Sequence, residues 1–446
     1  MKKNENVRAI DYYASILKGT KFENDSREGL YIPYSEDFAS TLGLPGKVGK
    51  FTAPNRIVYQ PMEGQDADEI GNPIEITYNR YRDLARGGAG IIWVEAVSVC
   101  PEGRSNAHQL MITEENVPLF AKLAREIKDT CRDANGYEPI VIIQLNHSGR
   151  HSKPKGTPEP MIAHHIPERE NPLMSEDRIV TDEYLTELKA KFVECSVLSE
   201  RAGFDGVDIK CCHGYLYSEL LSSFDREGIY GGEYEGRVRL LVDTVKEARK
   251  ALKPDTILCS RLNVYDGYRF RHSFATDKDD SEKYDLTESI RLVGELEPYI
   301  DLLNITVGSP YYNSDVSRPY RVGVDVPPTN ALRAEVRMFE AAREIHRAYP
   351  KLPCVNTGIS GLCEKSPYAG AGMIAEDYTT FVGFGRMSFA YPSMAIDILK
   401  GRFDDKKCCV ACSGCSTLKK NGLLSGCIIR NDMYKKIFRE FRANNK

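Results

Sequence analysis

The sequence predicts a closed (β/α)8 barrel of the TIM type, and three observations carry that reading. Eight short β-rich runs follow one another, amphipathic stretches lie between them, and polar or glycine-rich strings collect where the runs end. The runs fall at 55–62, 89–95, 140–145, 204–210, 256–262, 301–306, 353–358 and 379–385. Between them, 185–203 and 238–252 carry apolar side chains at three- and four-residue spacing, as a helix covering a sheet requires. Strand–helix units in series give a parallel sheet, and eight strands close it. A doubly wound open sheet would gather its ligand at one switch point, whereas here polar strings follow many strands.

In chain order, 1–50 reads as an N-terminal extension that packs onto or caps the barrel bottom, and 51–400 as the barrel. Within it, 263–290 is a long polar loop after the fifth strand, either a carrier of substrate contacts or a solvated insertion. Residues 401–446 read as a cysteine-rich segment ending in a helix.

Composition narrows the function classes. Charged residues make up 28% and hydrophobic ones 41%, an ordinary globular balance. A net charge of −4 gives no drive toward nucleic acid or anionic lipid. No apolar run approaches the roughly 18–20 residues that span a bilayer. Residues 1–19 hold no apolar h-region or cleavage site, so a cytoplasmic protein is expected. In that setting thirteen cysteines point to thiols or metal ligands rather than disulfides. Cys259 and Cys354, inside apolar runs, read as small buried hydrophobes.

An active site on this fold lies at the C-terminal strand ends. Strand one ends in Gln60-Pro61-Met62-Glu63-Gly64, strand three in Gln144-Leu145-Asn146-His147-Ser148-Gly149-Arg150, and strand four in Lys210-Cys211-Cys212-His213-Gly214-Tyr215-Leu216. Strand five ends in Ser260-Arg261-Leu262-Asn263, strand seven in Asn356-Thr357-Gly358-Ile359, and strand eight in Gly383-Phe384-Gly385-Arg386. Glycines after strands seven and eight let backbone N–H groups approach a phosphate. An amide, an arginine, a lysine and a histidine on the same face suit a flat, hydrogen-bonding ring above it.

The strings NRIVYQPMEG, AGIIWVEAVSVCPEGR, QLNHSGRHSKP, AGFDGVDIKCCHGYLYSELLSS, YGGEYEGRVRLL and FVGFGRMSFAYP resemble successive signature segments of the old yellow enzyme family, over roughly residues 45–430. The C-terminal cysteines resemble the branch of 2,4-dienoyl-CoA reductase, trimethylamine dehydrogenase and gut-bacterial ene-reductases. The resemblance implies FMN: Pro61 and Met62 against the ring, Gln144 on its pyrimidine edge, Arg261 near N1 and O2, and Gly358, Gly385 and Arg386 around the phosphate. Tyr215 matches the family's proton donor, sensible chemistry for a phenol opposite an incoming hydride. Positions 210 and 213 match the pair that holds a substrate oxygen, usually His with His or Asn. His213 fits that pair; Lys210 departs from it and leaves the substrate class open.

The run C-x2-C-x2-C-x11-C from Cys409 through Cys412 and Cys415 to Cys427 can wrap one cubane or hold zinc, and spacing alone does not separate them. The resemblance implies a [4Fe–4S] cluster. Larger members of the branch add dinucleotide-binding domains, and no G-x-G-x-x-G follows a strand here. The resulting expectation is an ene-reductase of carbonyl-conjugated C=C bonds. A separate electron-donor protein reduces the cluster, with NAD(P)H acting directly on FMN as the alternative. An oxidative dehydrogenase or demethylase, and an electron-transfer barrel without small-molecule turnover, are the competing readings; a homo-oligomer stays open.

Overall fold

A hairpin of β1 (Gly46–Val48) and β2 (Phe51–Ala53) precedes the barrel in the computed structural model, which describes residues 17, 22–25, 29–321, 324 and 327–444. The stretch read for an export signal, 1–19, lies outside these residues apart from Leu17, as does part of the expected 1–50 extension. Eight parallel strands then close the barrel: β3 (Ile57–Tyr59), β4 (Ile91–Ser98), β5 (Ile140–Asn146), β6 (Gly206–Ile209), β7 (Ile257–Asn263), β8 (Leu302–Thr306), β9 (Cys354–Asn356) and β10 (Phe381–Phe384). The hydrogen-bonded order is β10-β3-β4-β5-β6-β7-β8-β9, so first and last strands pair and no edge is left. Every residue of these strands is buried, which explains why the sequence shows continuous apolar runs instead of alternation.

A helix follows each strand: α1 (Glu75–Arg86), α2 (Val117–Asn135), α3 (Asp182–Arg201), α4 (Tyr234–Ala251), α5 (Thr287–Leu296), α6 (Ala331–Ala348), α7 (Ser366–Ala375) and α8 (Met394–Leu399). Each turns its apolar stripe inward; Phe120, Leu123 and Ile127 do so on α2. The hairpin plugs the bottom, where Val48 and Ala53 join Val58, Trp93, Ile142 and Phe381 in one core cluster. Gly46 is needed there, because a Cβ would lie 2.4 Å from the Phe381 ring.

The loop at 263–290 only partly matches the solvated or substrate-facing segment expected. Tyr265 and Phe274 are fully buried, and Asp266 accepts from Asn263 and from the Phe274 amide. Its first half is a packed brace, while 277–283 is largely open to solvent. Beyond α8 the chain returns across the barrel mouth through α9 (Gly414–Lys420) and leaves in α10 (Asp432–Asn444). The Ser425 amide donates to Gly64 O (2.8 Å) and Gln65 Nε2 to Lys419 O (2.9 Å), fastening this segment to the loop after β3. No helix among the described residues is long and apolar enough to cross a membrane.

Candidate active site

A cavity of about 610 Å³ opens at the C-terminal ends of the strands. Its lining includes Pro61, Met62, Gln144, Lys210, His213, Arg261, Gly358, Gly385 and Arg386, so nine sequence-predicted positions converge there. Cys415 also borders it. Among the described residues, seven lysines and arginines line it against one carboxylate, Glu63.

Glu63 is held from below. The Gly64 amide donates to Glu95 Oε2 (3.0 Å), and Arg80 binds Asp66 (2.7 Å), Glu95 and Met62 O. A Cβ at Gly64 would sit 2.6 Å from Arg80 Nη2, so only glycine lets this buried arginine under the turn. Across the barrel, Asp208 accepts from Trp93 Nε1 (3.0 Å), Gln144 Nε2 (2.7 Å) and the Arg261 amide (2.6 Å). A carboxylate only accepts, so the Gln144 nitrogen faces Asp208 and its carbonyl oxygen remains for a ring N–H.

After β6 the chain turns through two left-handed residues, His213 (φ 67°) and Gly214 (φ 66°). That strained turn is braced by Ser309 Oγ, which donates to His213 O (3.1 Å). Burial, with Arg261 and Lys210 nearby, holds His213 neutral, far below the usual imidazole range. Burial likewise pulls the Lys210 ammonium down to about 8, although Cys212 and Glu63 support its charge. Tyr215 lies one layer behind the cavity wall, only 2% exposed. Its hydroxyl donates to Glu63 Oε1 (3.2 Å) and pairs with the Tyr311 hydroxyl (2.7 Å), while Lys210 Nζ stands 3.9 Å from its ring centre. Burial first, then the Glu63 charge, raises the Tyr215 phenol well above its ordinary value.

FMN suits what this cavity leaves unsatisfied. Arg261 Nε and Arg386 Nη1 are buried without a partner, a cost that an acceptor-rich ring edge and a phosphate would remove. Gly358 adopts φ 86° where a Cβ would strike Met338, keeping backbone free at the phosphate end.

The four cysteines lie near one another. Cys412 and Cys427 each interact electrostatically with Cys415, as does Cys409. The Ala411 amide donates to Cys409 Sγ (3.3 Å) and the Arg430 amide to Cys427 Sγ (3.4 Å). Ala411 (φ 52°) and Ser413 (φ 61°) are left-handed, curling the backbone around the sulfurs. Neighbouring Cys408 points its thiol to Asp404 O instead (3.9 Å), which sets it apart from Cys409. These thiols and amides fit a cluster's ligands.

Cys100, Glu102 and His147 form a separate close trio. Both His147 nitrogens are engaged there, Nδ1 by the Gly149 amide (3.1 Å) and Nε2 by Tyr184 (2.8 Å), so it is a closed hydrogen-bond network. Sequence reasoning gave no role to Glu63, Tyr311, His151 or Lys419. Glu63 stood in the first strand-end string; the others come from segments whose approach only the fold decides. His151 stacks on Tyr311 with ring centres 3.8 Å apart.

The barrel and this site suit a flavin-binding enzyme. Residues 42–405 match the NADH:flavin oxidoreductase / NADH oxidase family, and the chain belongs to it. That family is one of FMN-dependent oxidoreductases. Among similar proteins, an NADH oxidase of Thermoanaerobacter brockii is 25% identical over 83% of this chain and 52% of its own length. An NADPH dehydrogenase of Clostridium acetobutylicum is 29% identical over 66% of this chain and 84% of its own. The structure of a 2-naphthoyl-CoA reductase in complex with 2-naphthoyl-CoA superposes with a TM-score of 0.73 at 23% identity, covering 89% of this chain and 58% of that one. An old yellow enzyme homologue from Zymomonas mobilis gives 0.60 at 21%, covering 81% and 92%. The chain thus spans little more than half of the NADH oxidase and of the naphthoyl-CoA reductase.

Proposed function

We propose that this flavoenzyme reduces a C=C bond conjugated to a carbonyl, with electrons entering through a [4Fe–4S] cluster on Cys409, Cys412, Cys415 and Cys427. When bound, FMN in its reduced form supplies the hydride and the cluster supplies single electrons. In this reading Pro61 and Met62 pack the ring, Gln144 and Arg261 hydrogen-bond it, and Gly358, Gly385 and Arg386 take the phosphate. His213 and Lys210 hold the substrate oxygen and draw charge onto it. Hydride adds at the β-carbon while Tyr215 gives its proton to the α-carbon, and the cavity-lining Tyr311 hydroxyl returns a proton to Tyr215 and takes one from solvent in its place. The observation that carries the reading is the Tyr215 hydroxyl, bonded to Glu63 and Tyr311 beside Lys210 and His213.

The resemblance to the iron–sulfur branch favours a cluster over zinc, which the same four thiolates could also hold. A separate donor suits the cysteine segment, because 401–446 carries eleven lysines and arginines against four acids in a chain of net −4. Such a basic segment draws an acidic one-electron carrier. NAD(P)H acting directly on the flavin is the competing route.

The test is anaerobic purification, identification of the released chromophore, and turnover of an activated alkene. FMN, iron and sulfide are expected, with Tyr215→Phe slowing alkene reduction on the order of 10²-fold while flavin reduction stays near wild type. Released FAD, or equal loss in both half-reactions, overturns it.

A further inference from the structure

The cysteine segment sends one side chain into the acid end of the site. Lys419 follows Cys415 by four residues on α9, one helical turn, and its Nζ lies 3.1 Å from Glu63 Oε1. That same oxygen accepts from the Tyr215 hydroxyl (3.2 Å), while Ser105 Oγ donates to the other, Oε2 (3.2 Å). Glu63 is 8% exposed, so water does little to weaken either contact. The backbone keeps the three groups in register, through Gln65 Nε2 on Lys419 O, the Ser425 amide on Gly64 O and Ser425 Oγ on Cys415 O (3.1 Å).

Charge decides what this geometry does. A carboxylate that accepts from a phenol holds the proton back, since leaving would put a phenolate beside an anion. An ammonium on the same oxygen lowers that oxygen's hold and offsets the negative charge that stays on Tyr215 after transfer. Lys210 sits over the ring, but its nitrogen is 4.0 Å from Glu63 Oε1, beyond a direct hydrogen bond.

We propose that Lys419, acting through Glu63, is a positioning residue that readies Tyr215 to protonate substrate, so that the cysteine-bearing helix governs proton delivery as well as electron entry. The inference rests on the proposed alkene reduction. The step it serves is balanced: hydride and proton add across the C=C bond, reduced flavin becomes oxidised, and Tyr215 is left as phenolate until Tyr311, which lines the cavity and regains its own proton from solvent, reprotonates it.

A double-mutant cycle in the holoenzyme tests it. Lys419→Met is expected to slow the oxidative half-reaction about tenfold or more and to enlarge its solvent isotope effect. Cluster spectrum, flavin content and rate of flavin reduction should stay at wild-type values. In a Glu63→Gln background the same replacement should cost less than twofold, because the carboxylate it acts through is gone. Lys419→Arg should restore most of the rate. A readout free of turnover is the carbon resonance of labelled tyrosine, assigned with Tyr215→Phe: Lys419→Met should shift the Tyr215 signal, and Glu63→Gln should abolish that shift. Equal losses from Lys419→Met in both backgrounds, an unchanged isotope effect, or an unmoved Tyr215 signal overturns the proposal. A wild type that reduces no activated alkene defeats the proposed function, and the tyrosine resonance still decides the Lys419–Glu63 coupling.

Discussion

Lys210 occupies the position where the resemblance expects a histidine, and burial rather than sequence decides what it can do there. Its ammonium loses the proton near pH 8 because only 4% of the residue is exposed and Arg261 and Lys419 lie nearby. The group is charged below that value and neutral above it. The KM for a carbonyl-bearing substrate is therefore expected to rise as pH passes about 8, and Lys210→Met to remove that limb while raising KM throughout. A steady-state pH series on both proteins checks this; an identical limb in the variant rules Lys210 out. Stability has the opposite sign. The unfolded chain keeps this proton to higher pH, so folding gains from Lys210 as pH rises above about 8. Lys210 and His213 were legible because the six-string resemblance fixes their register. Glu63 was visible but mute: a carboxylate after a strand says nothing until Lys419, Ser105 and Tyr215 surround it.

Among elements, the eight strands were the most legible, since a strand buried on both faces must be an uninterrupted apolar run. The 263–290 loop was the least. Its polar residues suggested solvent, yet Asp266, Ser273 and Thr276 are buried with partners of their own, which composition cannot reveal. The cysteine segment falls between these cases. Its ligand pattern is readable, but its fastening to Gly64 and Gln65 depends on how the chain crosses the mouth. Two roles for this element are separable by experiment. In a Cys412→Ala variant that retains FMN, reduction by a ferredoxin- or flavodoxin-type donor should fail. If the flavin is instead reduced chemically, alkene reduction should still lag wild type, because α9 no longer holds Lys419 at Glu63. Full recovery under chemical reduction would leave the segment a role in electron entry alone.

At the scale of the molecule, the barrel is sealed below by the hairpin at Val48 and Ala53 and walled above by residues that arrive last in the chain. Cys415, Lys419 and Ser425 border the same cavity as Gln144 and Arg261. That closure has a consequence in time. Flavin entering an open mouth meets Arg261 and Arg386 with unpaired nitrogens, and binding there also stabilises the fold. Once Ser425 and Lys419 have latched onto the loop after β3, departure requires the latch to open first. Ser425→Pro, which deletes the amide donated to Gly64, should shorten the residence of FMN several-fold on dilution, followed by the recovery of flavin fluorescence; an unchanged release rate would mean the mouth has another exit. Occupancy becomes a matter of history as well as affinity. A chain whose last wall closes before its flavin arrives stays empty for as long as that wall holds.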